Sequence, residues 1–265
     1  MRRAPFFVAT FTFVVAATAL SGQVAVPTPE VGKCSLTWQG HETEFEQMLL
    51  DGKVLKTEDV PIGVTKPQRA TLEGGSRFAW KPIRPGHSKG FMESYKAEIA
   101  AYKLDRMLDL HMVPPIVERK LDGLTGAAVY WVENTKGWSV TAPPQGPEPM
   151  WSQQITRMKM FDLLIANIDR NQGNLLYDSD WHLFLIDHSR SFIDKKDLKN
   201  LAPLARVDRK LWTKMQALTM EDLDRGLEKW VGNGEKKALL ARRDLMAKSI
   251  AELVKVRGEA SVFFE

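Results

Sequence analysis

The sequence predicts an α+β fold in two lobes, a small β-rich N-terminal lobe carrying one long helix and a mainly helical C-terminal lobe. Three observations predict it. Short strand-like runs bounded by turn residues crowd the stretch from Lys53 to Lys81. From Trp151 onward apolar residues recur at helical spacing, and the proline-rich segment Thr141–Pro149 separates the two regimes. A chain of 265 residues, 44% hydrophobic and 26% charged, has material for one two-lobed domain.

The elements follow in order. Arg2 and Arg3 precede an uncharged apolar run, Pro5 to Leu20, which ends in small residues, Ser21 and Gly22. This is the pattern of a secretory signal peptide over residues 1–23, and it predicts an exported protein, periplasmic or extracellular. The run is shorter than the roughly 20 residues a membrane span needs. An uncleaved N-terminal anchor is the alternative; after cleavage no stable membrane insertion is expected. Cys34 is the only cysteine, which excludes an internal disulfide and any multi-cysteine metal site. The net charge of +4 includes Arg2 and Arg3, and no basic stripe with interleaved aromatics is present, so no nucleic-acid partner is expected. Residues 24–50 read as an N-terminal extension, weakly helical over Glu42–Leu50.

Residues 51–140 read as the N-lobe. Lys53–Val60 and Gln68–Leu72 are predicted strands joined by a turn at Pro61–Pro67. Gly74-Gly75 makes a second turn, and Arg77–Lys81 is a third strand closed by Pro82. A helix is predicted over Met92–Leu108, with Ile99, Leu104, Met107 and Leu108 on its apolar face. Val113–Val117 is extended because each proline restricts the residue before it, and Gly126–Val132 is a further strand. Residues 150–265 read as the C-lobe. They begin with a helix over Ile155–Ala166 and a hairpin, Leu175–Tyr177 with Leu183–Ile186. Three helices follow near Ala202–Met215, Met220–Val231 and Lys236–Val256, the second capped by Thr219 with Asp222.

The chemistry concentrates in Ala166–Phe192, ANIDRNQGNLLYDSDWHLFLIDHSRSF. Asp169 is delivered into a loop by an apolar helix end, Asn174 follows within the loop, and Asp187 ends the apolar run Leu183–Ile186. One carboxylate that orients a hydroxyl, with an amide oxygen and a second carboxylate that hold metal on nucleotide phosphates, is the minimal set for phosphoryl transfer. Alone, an Asp and an Asn at this spacing are an ordinary loop. Upstream, however, Lys81 ends a strand and Glu98 sits in an apolar helical stretch, where a buried carboxylate needs a partner. Lys81, Glu98, Asp169, Asn174 and Asp187 stand in kinase order, which makes a chance coincidence of the five a poor account. Lys66 and Arg69 flank the first turn and are candidates to touch the phosphates where a glycine-rich loop is missing. Glu93 is expected on the same helix as Glu98. His182 and His188 match no recognised metal spacing and are expected to be structural.

These residues carry a resemblance. Ala97-EIAAYKLDRML-Asp109, Val113-Pro-Pro, and Phe161-DLLIANIDR-Asn171 resemble the secretory-pathway atypical kinases of the Golgi casein kinase and Four-jointed type (family with sequence similarity 20), here as a bacterial exported member. The resemblance spans about half of the chain. It implies a two-lobed protein-kinase-like fold, ATP with a divalent metal, Mn²⁺ or Mg²⁺, and a protein or glycan acceptor. By position it makes Lys81 the phosphate-binding lysine, Glu98 its ion-pair partner, Glu93 and Asp187 metal ligands and Asp169 the catalytic aspartate. The chain departs from the animal members in having one cysteine, in its short length, and in Asn171-Gln-Gly-Asn174, which resembles the ordinary kinase loop. No Phe-Gly follows Asp187. The expected activity is therefore phosphotransfer from ATP to a hydroxyl of a protein Ser/Thr or a glycan. The alternatives are a pseudokinase that binds nucleotide without turnover and, more weakly supported, a lipid kinase.

Overall fold

The structure, a computed structural model, describes residues 38–60, 67–88, 91–197 and 203–265. The expected leader, Cys34, Lys66 and most of the turn containing it lie outside the described residues.

In chain order the elements are α1 (Glu42–Asp51), β1 (Val54–Asp59), β2 (Gln68–Leu72), β3 (Arg77–Lys81), β4 (Gly86–Ser88), β5 (Phe91–Glu93), α2 (Tyr95–Leu108), β6 (Ile116–Leu121), β7 (Leu124–Tyr130) and β8 (Lys136–Gly137). The second half comprises α3 (Met150–Ile165), β9 (Leu175–Tyr177), β10 (Leu183–Leu185), β11 (Val207–Asp208), α4 (Arg209–Ala217), α5 (Met220–Leu227), α6 (Asn233–Arg257), α7 (Glu259–Val262) and β12 (Phe263–Phe264). A β-sheet part thus precedes a helical part, as the sequence predicts.

The main sheet is antiparallel, in the order β1-β2-β3-β7-β6. Alternation along β3 decides which residues face which side. Phe78 and Trp80 join Trp38, Phe45 and Leu49, so α1 packs on one face. Arg77, Ala79 and Lys81 point to the other face, toward α2 and the helical part. There Ala127 and Val129 of β7 meet the large core built from α2, α3 and the C-terminal helices. Gly126 lets β7 lie close to the end of β3. A Cβ there would come within 2.6 Å of the Lys81 carbonyl oxygen and of Pro82 Cα, closer than side chains approach backbone.

Helix α2 starts at Ser94, whose side chain accepts from the Lys96 N–H. The turn after it is held from within: fully buried Asp105 accepts from the backbone N–H groups of His111 (3.1 Å), Met112 and Val113 (2.9 Å each). The predicted capping box of Thr219 and Asp222 at the start of α5 is present.

Several boundaries differ from expectation, each for a local reason. The helix expected from Met92 begins at Tyr95, because Phe91–Glu93 pairs with Gly86–Ser88 as a short hairpin. Glu93 is therefore a strand residue, not a neighbour of Glu98 on one helix. The helix expected from Ala202 begins at Arg209, where Asp208 caps it through the Leu211 N–H. Strand β6 runs on to Leu121, and β8 adds a two-residue third strand to the predicted β9–β10 hairpin.

Candidate active site

Lys81 closes β3 with its side chain on the face that meets α2. Its Nζ lies 2.6 Å from Glu98 Oε1 and 3.0 Å from Asp187 Oδ1. Glu98 is fully buried in the first turns of α2, and its other oxygen accepts the His188 N–H at 2.9 Å. Burial raises the Glu98 pKa, with the Asp187 charge adding to it and Lys81 opposing. Burial also works against the Lys81 charge, but the two carboxylates prevail and hold its pKa above the ordinary lysine value. For Asp187 burial would raise the pKa; the Lys81 ammonium overrides it and brings it down to about 2. Asp187 is thus a carboxylate at any physiological pH. Its backbone is left-handed, φ 59°, a conformation Asp tolerates better than most residues.

The second half of the site begins where α3 ends. Ala166 takes a left-handed C-cap conformation and turns the chain out of the helix. Asn167, buried, donates to Asp162 Oδ1 at 3.0 Å and accepts from the Asp169 N–H at 3.2 Å. This places Asp169 at the mouth of the loop, with its side chain 37% exposed. Asn174 Nδ2 donates to the Asp169 carbonyl at 2.9 Å, which leaves the amide oxygen as the group free to meet a cation. The Asn174 carbonyl in turn accepts the Ile186 N–H at 3.1 Å, which ties the residue before Asp187 to the Asn174 backbone.

Sequence reasoning gave no role to the residue that organises these parts. The Arg170 guanidinium donates to both oxygens of buried Asp162 (2.9 and 3.1 Å). It also reaches the carbonyls of Asn174 (2.9 Å) and Ile186 (2.8 Å) and His188 Nε2 (2.9 Å). One planar fork thereby ties the end of α3, the Asp169 loop and the Asp187 segment together. Guanidinium only donates, so His188 Nε2 accepts and its Nδ1 carries the proton. Burial, with Arg170 and Lys81 nearby, pushes the His188 pKa well below its ordinary value, so it is a neutral structural residue, as expected. Arg190 is the other residue without a sequence-level role: it contacts both Glu93 and Asp169.

The structure brings together Lys81, Glu98 and Asp187, and bonds Asn174 to Asp169 and to Ile186, the neighbour of Asp187. Glu93 reaches this group through Arg190. Arg69 lies on the same face of the sheet as Lys81, paired through register with Ala79, but its guanidinium engages Glu58 at 3.1 Å and lies over the Trp131 ring. The oxygen donors at Asp187 and Asn174 are hard ligands that suit Mg²⁺ or Mn²⁺ rather than a thiophilic ion. His182 pairs with Asp178 at 2.9 Å in the hairpin turn.

The model of the phosphatidylinositol 3- and 4-kinase family matches residues 150–248. No curated protein matches the chain by sequence. Among solved structures, that of hydra Fam20 with sugar superposes with a TM-score of 0.68 at 16% identity, covering 85% of this chain and 93% of that one. The Golgi casein kinase superposes with a TM-score of 0.65 at 15% identity, covering 85% and 79% respectively. Its form with Mn/ADP bound gives 0.62 at 15% identity over the same shares. The chain therefore has the kinase-like fold shared by hydra Fam20 and the Golgi casein kinase, the fold its sequence resemblance implies.

Proposed function

We propose that this chain is an exported, metal-dependent atypical kinase that transfers the γ-phosphoryl group of ATP to a hydroxyl of a protein or a glycan. The observation that carries the reading is the buried Lys81–Glu98 pair with Asp187 on the same ammonium. An ion pair of this kind is costly to bury, and here one ammonium holds two carboxylates, Glu98 and Asp187, together. In this reading residues 51–140 and 150–265 are the two lobes of one kinase unit, and residues 1–23 are the leader that exports it.

Lys81, held by Glu98, binds the nucleotide phosphates as a point charge. Lys66 and Arg69 are candidates to add charge on the same phosphates. Asp187 and Asn174 would hold the divalent cation, which supplies neutralisation of the phosphate oxygens. Asp169 orients the acceptor hydroxyl and receives its proton as the new O–P bond forms and the bond from Pγ to the bridging oxygen breaks. Arg170, next to Asp169 in the chain, holds the Asp187 segment to its own loop through the Asn174 and Ile186 carbonyls. A pre-set spacing of this kind is how positioning lowers a barrier.

The test is incubation of the mature protein with labelled ATP and Mn²⁺ or Mg²⁺, followed by mass spectrometry of the protein and of protein, glycan and inositol-lipid acceptors. Label on one acceptor class, lost in an Asp169→Ala variant, supports the reading and names the acceptor. Equal labelling by Asp169→Ala would overturn it. Calorimetric ATP binding that depends on Lys81, without any turnover, would make the chain a pseudokinase.

A further inference from the structure

Glu93 is buried and lies on β5, outside α2. Its Oε1 accepts from Arg190 Nε at 2.8 Å and lies 2.6 Å from the second terminal nitrogen of the same guanidinium. The remaining terminal nitrogen of Arg190 sits 3.2 Å from Asp169 Oδ2. The Arg190 side chain is only 14% exposed. Its position is set by backbone as well: the Ser94 N–H donates to the Ser189 carbonyl at 2.9 Å, which holds the residues after Glu93 and before Arg190 against each other. A guanidinium cannot shed its charge in a protein. Burial disfavours that charge, but Glu93 and Asp169 hold the Arg190 pKa above its ordinary value. A divalent ion on Glu93 would sit at contact distance from this fixed cation in a partly dry site, where like charges repel strongly.

We propose that Arg190 is a built-in cation of the active site: anchored on Glu93, its guanidinium takes the place of a Glu93-bound metal and holds Asp169, so that the chain works with one divalent ion on Asp187 and Asn174. The inference rests on the kinase reading. Under it Glu93 and Arg190 are positioning residues, and Glu93 is not a metal ligand.

The test counts Mn²⁺ bound to the full chain in saturating ADP, by electron paramagnetic resonance, beside a thermal melt of each variant. The wild type should hold one Mn²⁺. Glu93→Gln should hold it with an affinity changed by less than about twofold, where loss of a true ligand or its support costs roughly 10–100-fold. Arg190→Gln, which frees Glu93, should gain a second and weaker Mn²⁺ that disappears again when Glu93→Gln is added. A gained site cannot come from misfolding. Two Mn²⁺ in the wild type, a loss of about tenfold or more in Glu93→Gln, or an Arg190→Gln chain that binds Mn²⁺ as the wild type does would each overturn the proposal. Asp187→Asn separates the two levels: it should abolish ADP-dependent Mn²⁺ binding, and retained binding there would overturn the kinase reading itself.

Discussion

The Lys81 ammonium shares Asp187 and Glu98 within 3.0 Å, and Glu98 is fully buried. Removing the lysine leaves a buried carboxylate unpaired, which costs roughly 3–5 kcal/mol. Lys81→Met should lower the midpoint of denaturant unfolding accordingly and abolish ATP binding. The double variant Lys81→Met with Glu98→Leu should recover much of the stability and none of the binding. Equal stability of the single variant and the wild type would show that the pair is not buried as described.

Arg170 holds three segments through one planar group. Arg170→Lys keeps the charge but loses the fork, so at most a subset of these bonds survives. With bonds to charged partners worth roughly 1.5–3 kcal/mol each, urea melts should show a loss of a few kcal/mol. Steady-state kinetics should show a fall in kcat larger than any rise in KM for ATP, because the spacing of Asp169 and Asp187 is what the fork sets.

Asp105 gives a pH signature far from the proposed chemistry. Burial raises its pKa to about 7 from an ordinary 3.8, against the three backbone N–H groups that favour the charged form. A carboxyl whose folded pKa is raised holds a proton that the unfolded chain has released. Its contribution is therefore full below about pH 4 and is lost as pH rises toward 7, by up to about 4 kcal/mol. Asp105→Asn should be less stable at pH 5, because an amide cannot accept from donors aimed at both of its ends. It should also lose less stability than the wild type between pH 5 and pH 8, as read by thermal melts. A wild-type stability that rises through this window relative to Asp105→Asn would contradict the assignment.

Gly126 offers a test of the strand junction beneath Lys81. A methyl group there meets the Lys81 carbonyl and Pro82 at 2.6 Å, both backbone. Gly126→Ala should push β3 from β7, weaken nucleotide binding, and cost roughly 1–3 kcal/mol as overpacking does. Gly137→Ala, which meets nothing, is the matched control and should leave both measurements within error.

Much of this molecule is legible in its sequence, and the illegible parts have physical reasons. Strand β3 is announced by its composition and by Pro82, the Thr219 capping box by its spacing, and Asp169, Asn174 and Asp187 by their order along a hairpin. The Lys81–Glu98 pair is legible because a glutamate among alanines and isoleucine demands a partner. Strands of two or three residues, β4, β5 and β8, are too short to show a period. That is why Glu93 reads as helical from sequence; Ser94, a good N-cap, is the one local sign of the boundary. Arg190 has no local signal at all, since its partner Glu93 is 97 residues away. Arg170 and Asp162 stand eight apart, across a helix end whose direction depends on a left-handed Ala166, which no propensity predicts.

The two partners of Lys81 stand at very different distances along the chain, Glu98 at 17 residues and Asp187 at 106. During translation the first pair can form as soon as α2 has emerged. Asp187 follows about 90 residues later, which at roughly 5–20 residues per second is a delay of about 5–20 s. Through that interval Glu98 is the one of these two carboxylates that has been synthesised. A chain cut short before β10 would contain Lys81 and Glu98 and lack Asp187.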